Sequence, residues 1–402
     1  MSLEDGIPLS SAMRPERGAM KKVLVTGAHG FIGRNLVARL RERDDICLWE
    51  FGRGSRPDDL TAWAAEADVI FHLAGVNRPP DVREFETGNA GSVQTLCQIL
   101  QAAGRAPRVI LSSSVQADLE NPYGISKRRA EQILSGFSHA TGAPVAIYRL
   151  TNVFGKWCRP NYNSVVATFC HQLARDLPIR ISDPDRELEL VYIDDVIEAF
   201  VGELTKTVPD VVFPVIPVSQ TITLGQLGTM LRSFGTSRRT LVMPDLAAPF
   251  ARKLYATFLS HLPEGELAYS LDTKVDARGS LAEFIKTPHG GQIFVSRTKP
   301  GVIRGNHYHH TKTEKFLVLE GEAIIRLRHL EQAVVLEYRV SGGEGRVVDI
   351  PPGYTHSIEN LGSGEMIVLF WASEIFDAER PDTQFLSVKM PVLAENLTRE
   401  AA

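Results

Sequence analysis

The chain changes its hydrophobic grammar about three-fifths of the way along, and that change limits the folds open to it. Up to about residue 240, short apolar runs such as Val23–Val25, Val69–Phe71, Val109–Leu111 and Val145–Tyr148 are each followed by a longer stretch with 3.6-residue spacing. This is the pattern of βαβ units on a parallel sheet. After about residue 270 the apolar runs stay short, turns fall at Gly-Gly, Pro-Gly and Asn-Leu-Gly, and helical spacing is absent. That predicts an antiparallel barrel or jelly roll. A length of 402 residues suits two such domains. The expected division is a flexible leader over 1–19, an α/β domain over 20–244, a linker with a connecting helix over 245–270, an all-β domain over 271–395 and a tail over 396–402. Met1-Ser2-Leu3 reads as an expression scar and Met20 as a natural start.

Composition excludes several functions. A formal net charge of −4 gives no electrostatic case for binding nucleic acid. No apolar run reaches the ~18 residues that span a bilayer, and the first nineteen residues lack the apolar core of a secretion signal. Cys47, Cys97, Cys158 and Cys170 show no C-x-x-C spacing, so reduced thiols in a cytoplasmic protein are expected.

Val23 to Gly33 reads as a strand, a glycine turn and a helix start. Gly27 permits a tight turn, Gly30 lets the backbone approach a pyrophosphate, and Gly33 lets helix and strand pack closely; the phosphate would rest on the helix N-terminus. The spacing G-x-x-G-x-x-G, followed through Phe31-Ile32, resembles the extended short-chain dehydrogenase/reductase family, with its Rossmann-like fold. The resemblance runs on in order through Phe71-His72-Leu73-Ala74-Gly75, Leu111-Ser112-Ser113-Ser114, Tyr123-Gly124-Ile125-Ser126-Lys127, Arg149 to Gly155 and Val191 to Val196. Phe31, Ile32, Leu73, Ala74 and Gly75 are thereby expected to line the dinucleotide.

Tyr123 and Lys127, four residues apart, share one helical face. The Lys127 ammonium and the nicotinamide ribose would lower the Tyr123 pKa, making the phenol a proton donor to a ketone as hydride arrives. A serine would hold the same oxygen, Ser114 first and Ser113 second. For the cofactor, Glu50 lies where an acid would hold the ribose 2′-hydroxyl of NAD. Arg53, with Arg34 and Arg56 as helpers, could instead pair with the 2′-phosphate of NADP. The arginines favour NADP(H).

Two motifs stand in the second half. One runs Gly301, His307-Tyr308-His309, Glu314, Gly321; the other runs Gly345, Pro351-Pro352-Gly353, His356, Asn360. They resemble the paired signature motifs of the cupin superfamily. His307 and His309 alternate along a strand and share a face, and Glu314 and His356 are expected to converge from neighbouring strands. Three imidazoles and one carboxylate suit one divalent metal, Zn first, with Fe, Mn, Ni or Co also compatible. Asp276 to Glu283 and Ile303 to His307 resemble a metal-free family of keto-sugar epimerases in the same superfamily, which leaves His307 as either ligand or base. His310 is a substitute ligand, a base or a substrate contact.

The full order, reductase then cupin, resembles the CapF/WbjC family of bifunctional capsular-polysaccharide and O-antigen enzymes. Its specific segments are Leu73 to Pro79, Phe154 to Asn163 and His309 to Phe316. The resemblance implies a UDP-linked 2-acetamido-2,6-dideoxy-hexos-4-ulose as substrate, C3 inversion in the cupin and NADPH-dependent C4 reduction in the first domain. It also implies substrate contacts from Asn77, Arg78, Asn152 and Asn163, and a homodimer. A plain reductase with a non-catalytic cupin, and a non-enzymatic NADP(H) sensor, are the rival readings; Tyr123 and Lys127 together weigh against the sensor.

Overall fold

The computed structural model describes residues 20–206, 210–271, 273–276, 279–282, 285, 291–374 and 379–389. The expected leader and tail lie outside these residues, as do the side chains of Asp276 to Glu283.

The first half alternates as the sequence requires. Its strands are β1 (Lys21–Thr26), β2 (Ile46–Phe51), β3 (Val69–His72), β4 (Arg108–Ser114) and β5 (Val145–Leu150), followed by the short β6 (Asn152–Phe154), β7 (Glu187–Tyr192), β8 (Val211–Val212) and β9 (Gln220–Thr223). The helices are α1 (Phe31–Leu40), α2 (Pro57–Glu66), the one-turn α3 (Arg83–Phe85), α4 (Ser92–Ala102), α5 (Pro122–Thr141), α6 (Val165–Leu173), α7 (Ile193–Gly202), α8 (Leu224–Thr240) and α9 (Pro249–Leu259). A six-stranded sheet runs in the order β2-β1-β3-β4-β5-β8, with every pairing parallel. Strand order reverses between β1 and β3, where sheets of this kind open a crevice at the strand C-termini. Val23, Leu24, Val25, Ile70 and Phe71 are fully buried or nearly so, as a sheet covered on both faces demands. β6, β7 and β9 form a separate three-stranded sheet.

The second half contributes β10 (Ala268–Ser270), the hairpin β11 (Thr273–Asp276) and β12 (Gly279–Ala282), β13 (Gln292–Thr298), β14 (Ile303–Tyr308), β15 (Glu314–Glu320), β16 (Glu322–His329), β17 (Val335–Ser341), β18 (Arg346–Ile350), β19 (Tyr354–Asn360), β20 (Met366–Ala372) and β21 (Gln384–Phe385). Two antiparallel five-stranded sheets, β10-β18-β15-β20-β13 and β17-β16-β19-β14-β21, make a jelly-roll barrel.

The segment expected as a linker with a connecting helix, 245–270, contains the helix α9. α9 buries Phe250, Leu254, Tyr255, Phe258 and Leu259, and β10, before the expected boundary at 271, already pairs with β18 of the barrel. The apolar core runs continuously from Val23 in β1 to Trp371 in β20.

Candidate active site and metal centre

The crevice above β1 is shaped by glycine. Gly27 has φ +70°, and a Cβ there would lie 2.6 Å from the Ala74 nitrogen; at Gly33 it would lie 2.1 Å from the Gly27 carbonyl oxygen. Neither neighbour can yield, because both are backbone. Gly30 is the N-cap of α1 and no side chain caps the helix, so its first N–H groups remain available to an anion. Phe31, Ile32 and Leu73 are partly buried around the turn, and Ala74 and Gly75 continue the same wall after β3. His72, fully inside and pushed down to about 3 by burial, stays neutral and joins Thr26 on β1 (Nδ1 to Oγ1, 2.9 Å) to Ser92 on α4 (Nε2 to Oγ, 3.2 Å). That tether was not legible in the sequence.

α5 begins with Pro122 at its first position and the Asn121 carboxamide accepting the Gly124 N–H at 2.8 Å. This fixes the register that turns Tyr123 toward the end of β4. The Tyr123 hydroxyl shares a hydrogen bond with Ser114. Ser113, the second choice, points elsewhere and donates to buried Glu131, which Arg149 also holds (2.6 and 3.0 Å). Lys127 is buried and donates to the Ser112 carbonyl at 2.8 Å. In the chain alone, burial pushes the Tyr123 phenol up, against the Ser114 bond. Burial also brings Lys127 down to about 8, with Glu131 opposing.

In the barrel, His307, His309, Glu314 and His356 offer ligand atoms within 4.8 Å of one another. His307 and His356 are register partners on β14 and β19. Glu314 begins β15 in the facing sheet, not on a neighbouring strand as expected, so the cluster spans the barrel interior. Glu314 Oε2 lies 3.3 Å from His309 Nε2 and 3.2 Å from His356 Nε2. Both nitrogens are buried without an aligned hydrogen bond. Orphaned imidazole nitrogens around a carboxylate are an unstable dry cluster and a fitting cage for a borderline divalent metal such as Zn. His309 is oriented from behind, its Nδ1–H donating to the Asp382 carbonyl at 2.6 Å, which leaves Nε2 facing the cluster. Asp382, at φ +35°, had no signal in the sequence.

Residues 23–212 match the NAD dependent epimerase/dehydratase family, and residues 274–384 match the polysaccharide biosynthesis C-terminal domain. Over 367 residues the chain is 44% identical to the UDP-2-acetamido-2,6-beta-L-arabino-hexul-4-ose reductase of Pseudomonas aeruginosa, covering 91% of this chain and 99% of that one. The chain belongs to that reductase family. The crystal structure of the capsular polysaccharide assembling protein CapF from Staphylococcus aureus, 44% identical, superposes with a TM-score of 0.62 over 91% of this chain and all of that one. CapF with the inhibitor 3-isopropenyl-tropolone, 40% identical, gives 0.57 over 91% and 99%.

Within this family member, the other residues singled out by sequence fall in different places. Arg53 is exposed on the loop after β2. Its expected helpers are committed elsewhere: Arg34 pairs with Glu331 of the barrel, and Arg56 with Asp59 at the start of α2 (2.8 Å). Glu50 is held by Arg41 at 2.7 Å. Asn77 is half-buried and Arg78 exposed beside the β3 turn, where the Arg78 N–H donates to Tyr162 at 3.3 Å. Tyr162 also lies close enough to Tyr123 to disfavour its ionisation and was missed as a site residue. Asn163 is exposed next to it, and Asn152 spends its amide on the Glu189 carbonyl at 3.1 Å. His310 does not join the His307–His309–Glu314–His356 cluster: its Nε2–H donates to Glu42 of the first domain. Among the described residues no helix is long and apolar enough to cross a membrane.

Proposed function

We propose that the chain is an NADPH-dependent UDP-sugar reductase of capsule or O-antigen synthesis that also inverts C3 of its substrate in the barrel. The substrate is a UDP-2-acetamido-2,6-dideoxy-hexos-4-ulose on the route to UDP-N-acetyl-L-fucosamine. The observation carrying this reading is that one chain, alignable almost end to end with such a reductase, holds two separate constellations, Ser114–Tyr123–Lys127 and His307–His309–Glu314–His356.

In the first site the cofactor supplies hydride when bound. Gly27, Gly30 and Gly33 give its pyrophosphate room, and Arg53 offers a charge-assisted partner to a 2′-phosphate. Ser114 orients the C4 ketone oxygen, and Tyr123 delivers a proton to it as the carbon is reduced. Lys127 keeps Tyr123 poised through the charge it retains below pH 8.

In the second site a 4-keto group acidifies the C3–H, so a base can take that proton and return it to the other face. His307, the least enclosed of the four cluster residues, is the base or a ligand. A metal held by the cluster would act as a Lewis acid toward developing negative charge on the ketone oxygen. Inversion alone is nearly balanced and reversible. Reduction removes the ketone, C3 loses its acidity, and the product is trapped. Cytoplasmic location and a homodimer complete the proposal.

The test is to incubate the full-length protein with candidate UDP-4-keto-sugars, with NADPH, with NADH and with neither, and to identify products by NMR. A C3-inverted, C4-reduced product formed faster with NADPH supports the reading. Reduction without any C3 inversion, by a protein whose metal content is intact, makes the barrel a non-catalytic domain.

A further inference from the structure

The strand end that carries the metal cluster faces two ways. His307 and His309 turn inward to the cluster. Tyr308 and His310, of the opposite parity, turn outward to the first domain, where both donate to the same Glu42 oxygen, just beyond α1. Glu42 is itself held by Arg39 at 2.5 Å, and its side chain is only 10% exposed.

His310 is secured from two further directions. Its carbonyl accepts from Lys156 at 3.3 Å, and that lysine, 1% exposed, is anchored on Asp194 at 2.7 Å. Its N–H donates to Asp382 at 2.9 Å, and the same carboxylate takes the N–H groups of Thr311 and Lys312 at 2.9 and 2.8 Å. The Asp382 carbonyl is the group that orients His309. Beside this contact the Lys156-Trp157 turn presses into the barrel, with Trp157 at φ +67° and its ring 5.4 Å from that of His329. Phe154 to Asn163 and His309 to Phe316, far apart in the chain, therefore meet here.

We infer that Glu42, with Lys156, is a positioning residue of the barrel's metal centre: the reductase domain holds the Tyr308–His310 strand end and so sets the aim of His307 and His309. The inference rests on the proposed metal reading of the four-residue cluster. Residues behind metal ligands typically govern affinity by about 10–100-fold, and here part of that layer belongs to the other domain.

The experiment uses the full-length chain, with Zn(II) affinity measured by chelator competition and cluster geometry read from the visible absorption of the Co(II)-loaded protein. Glu42→Ala should weaken Zn(II) binding about 10–100-fold and alter the Co(II) spectrum, while NADPH affinity stays at the parent value. Glu42→Gln keeps an acceptor oxygen for both donors and should bind close to the parent. If Glu42→Ala does not fold, Lys156→Met, which keeps the buried stem and removes only the ammonium, should show the same weakening and spectral change. Parent-like affinity and spectrum in the folded alanine or methionine variant would overturn the inference, as would a loss in Glu42→Gln equal to that in Glu42→Ala. A parent protein that binds no metal would overturn the cluster reading itself, a result distinguishable from failure of the domain contact alone.

Discussion

The two sites are built by opposite strategies. The reductase site is local in sequence: Tyr123 and Lys127 share one turn of α5, Ser114 ends the strand that leads into it, and the glycines occupy a single strand–helix turn. The proposed metal cluster draws on two facing sheets, has His309 held by the Asp382 carbonyl from the C-terminal segment, and lies beside His310, which donates to Glu42 some 270 residues upstream (a separation of 268). A local site is fixed by secondary structure and tolerates change elsewhere. A site assembled across layers depends on contacts that no short segment contains.

That contrast is broken most severely at two glycines. Gly33→Ala sets a methyl against the Gly27 carbonyl. Overpacking of this kind costs about 1–3 kcal/mol, so NADPH affinity should fall roughly ten- to hundredfold, with Zn(II) affinity unmoved. Gly305→Ala does the reverse in the barrel. Its φ of +97° and a Cβ site 2.8 Å from the His356 carbonyl oxygen displace the β14–β19 pair, so metal affinity should fall while NADPH binding holds. Titration of both ligands against both variants checks this pair; cross-effects as large as the direct ones would deny the sites their independence.

A different kind of effect separates the two neighbouring serines. Ser114→Ala removes the hydroxyl on Tyr123 and should slow reduction by roughly 10² with little change in melting temperature. Ser113→Ala leaves buried Glu131 with Arg149 as its main partner, so it should cost about 1–3 kcal/mol of stability and little rate. Paired kinetics and thermal melts distinguish these outcomes.

The smallest effect is one of pH. Lys127 is drawn down to about 8 by burial, with Glu131 opposing. Raising pH through that value discharges the ammonium and, on the proposed mechanism, removes its support for Tyr123. The alkaline limb of kcat/KM for reduction should therefore bend near pH 8, falling at most tenfold per unit beyond it. Washout of C3 hydrogen should show no such bend from this group.

Legibility followed the same division. Glycine spacing, strand–helix alternation and the Tyr123–Lys127 interval are short-range patterns, so the parallel sheet and the grouping of Ser114 with Tyr123 could be read directly. In the barrel, the alternation of His307 and His309 across Tyr308 marked the inward face. Yet Glu314's place in the facing sheet depends on how two sheets close on each other, which strand periodicity does not encode. Arg34, read as a helper to Arg53 at a 2′-phosphate, instead pairs with Glu331. Nothing in a local window shows that a second domain will pack there. Asp382, Glu42 and Tyr162 escaped notice for the same reason: each acts on a residue distant in sequence.

The central claim, two chemically separate sites on one chain, is tested most directly with Tyr123→Phe. The substitution removes the proton donor and leaves the barrel untouched, so C4 reduction should drop by roughly 10²–10⁴. In D₂O the same variant should still exchange deuterium into C3 of the 4-keto-sugar at the parent rate, because loss of that proton requires neither hydride nor Tyr123. Abolition of exchange together with reduction, in a folded variant that retains its metal, would contradict the account.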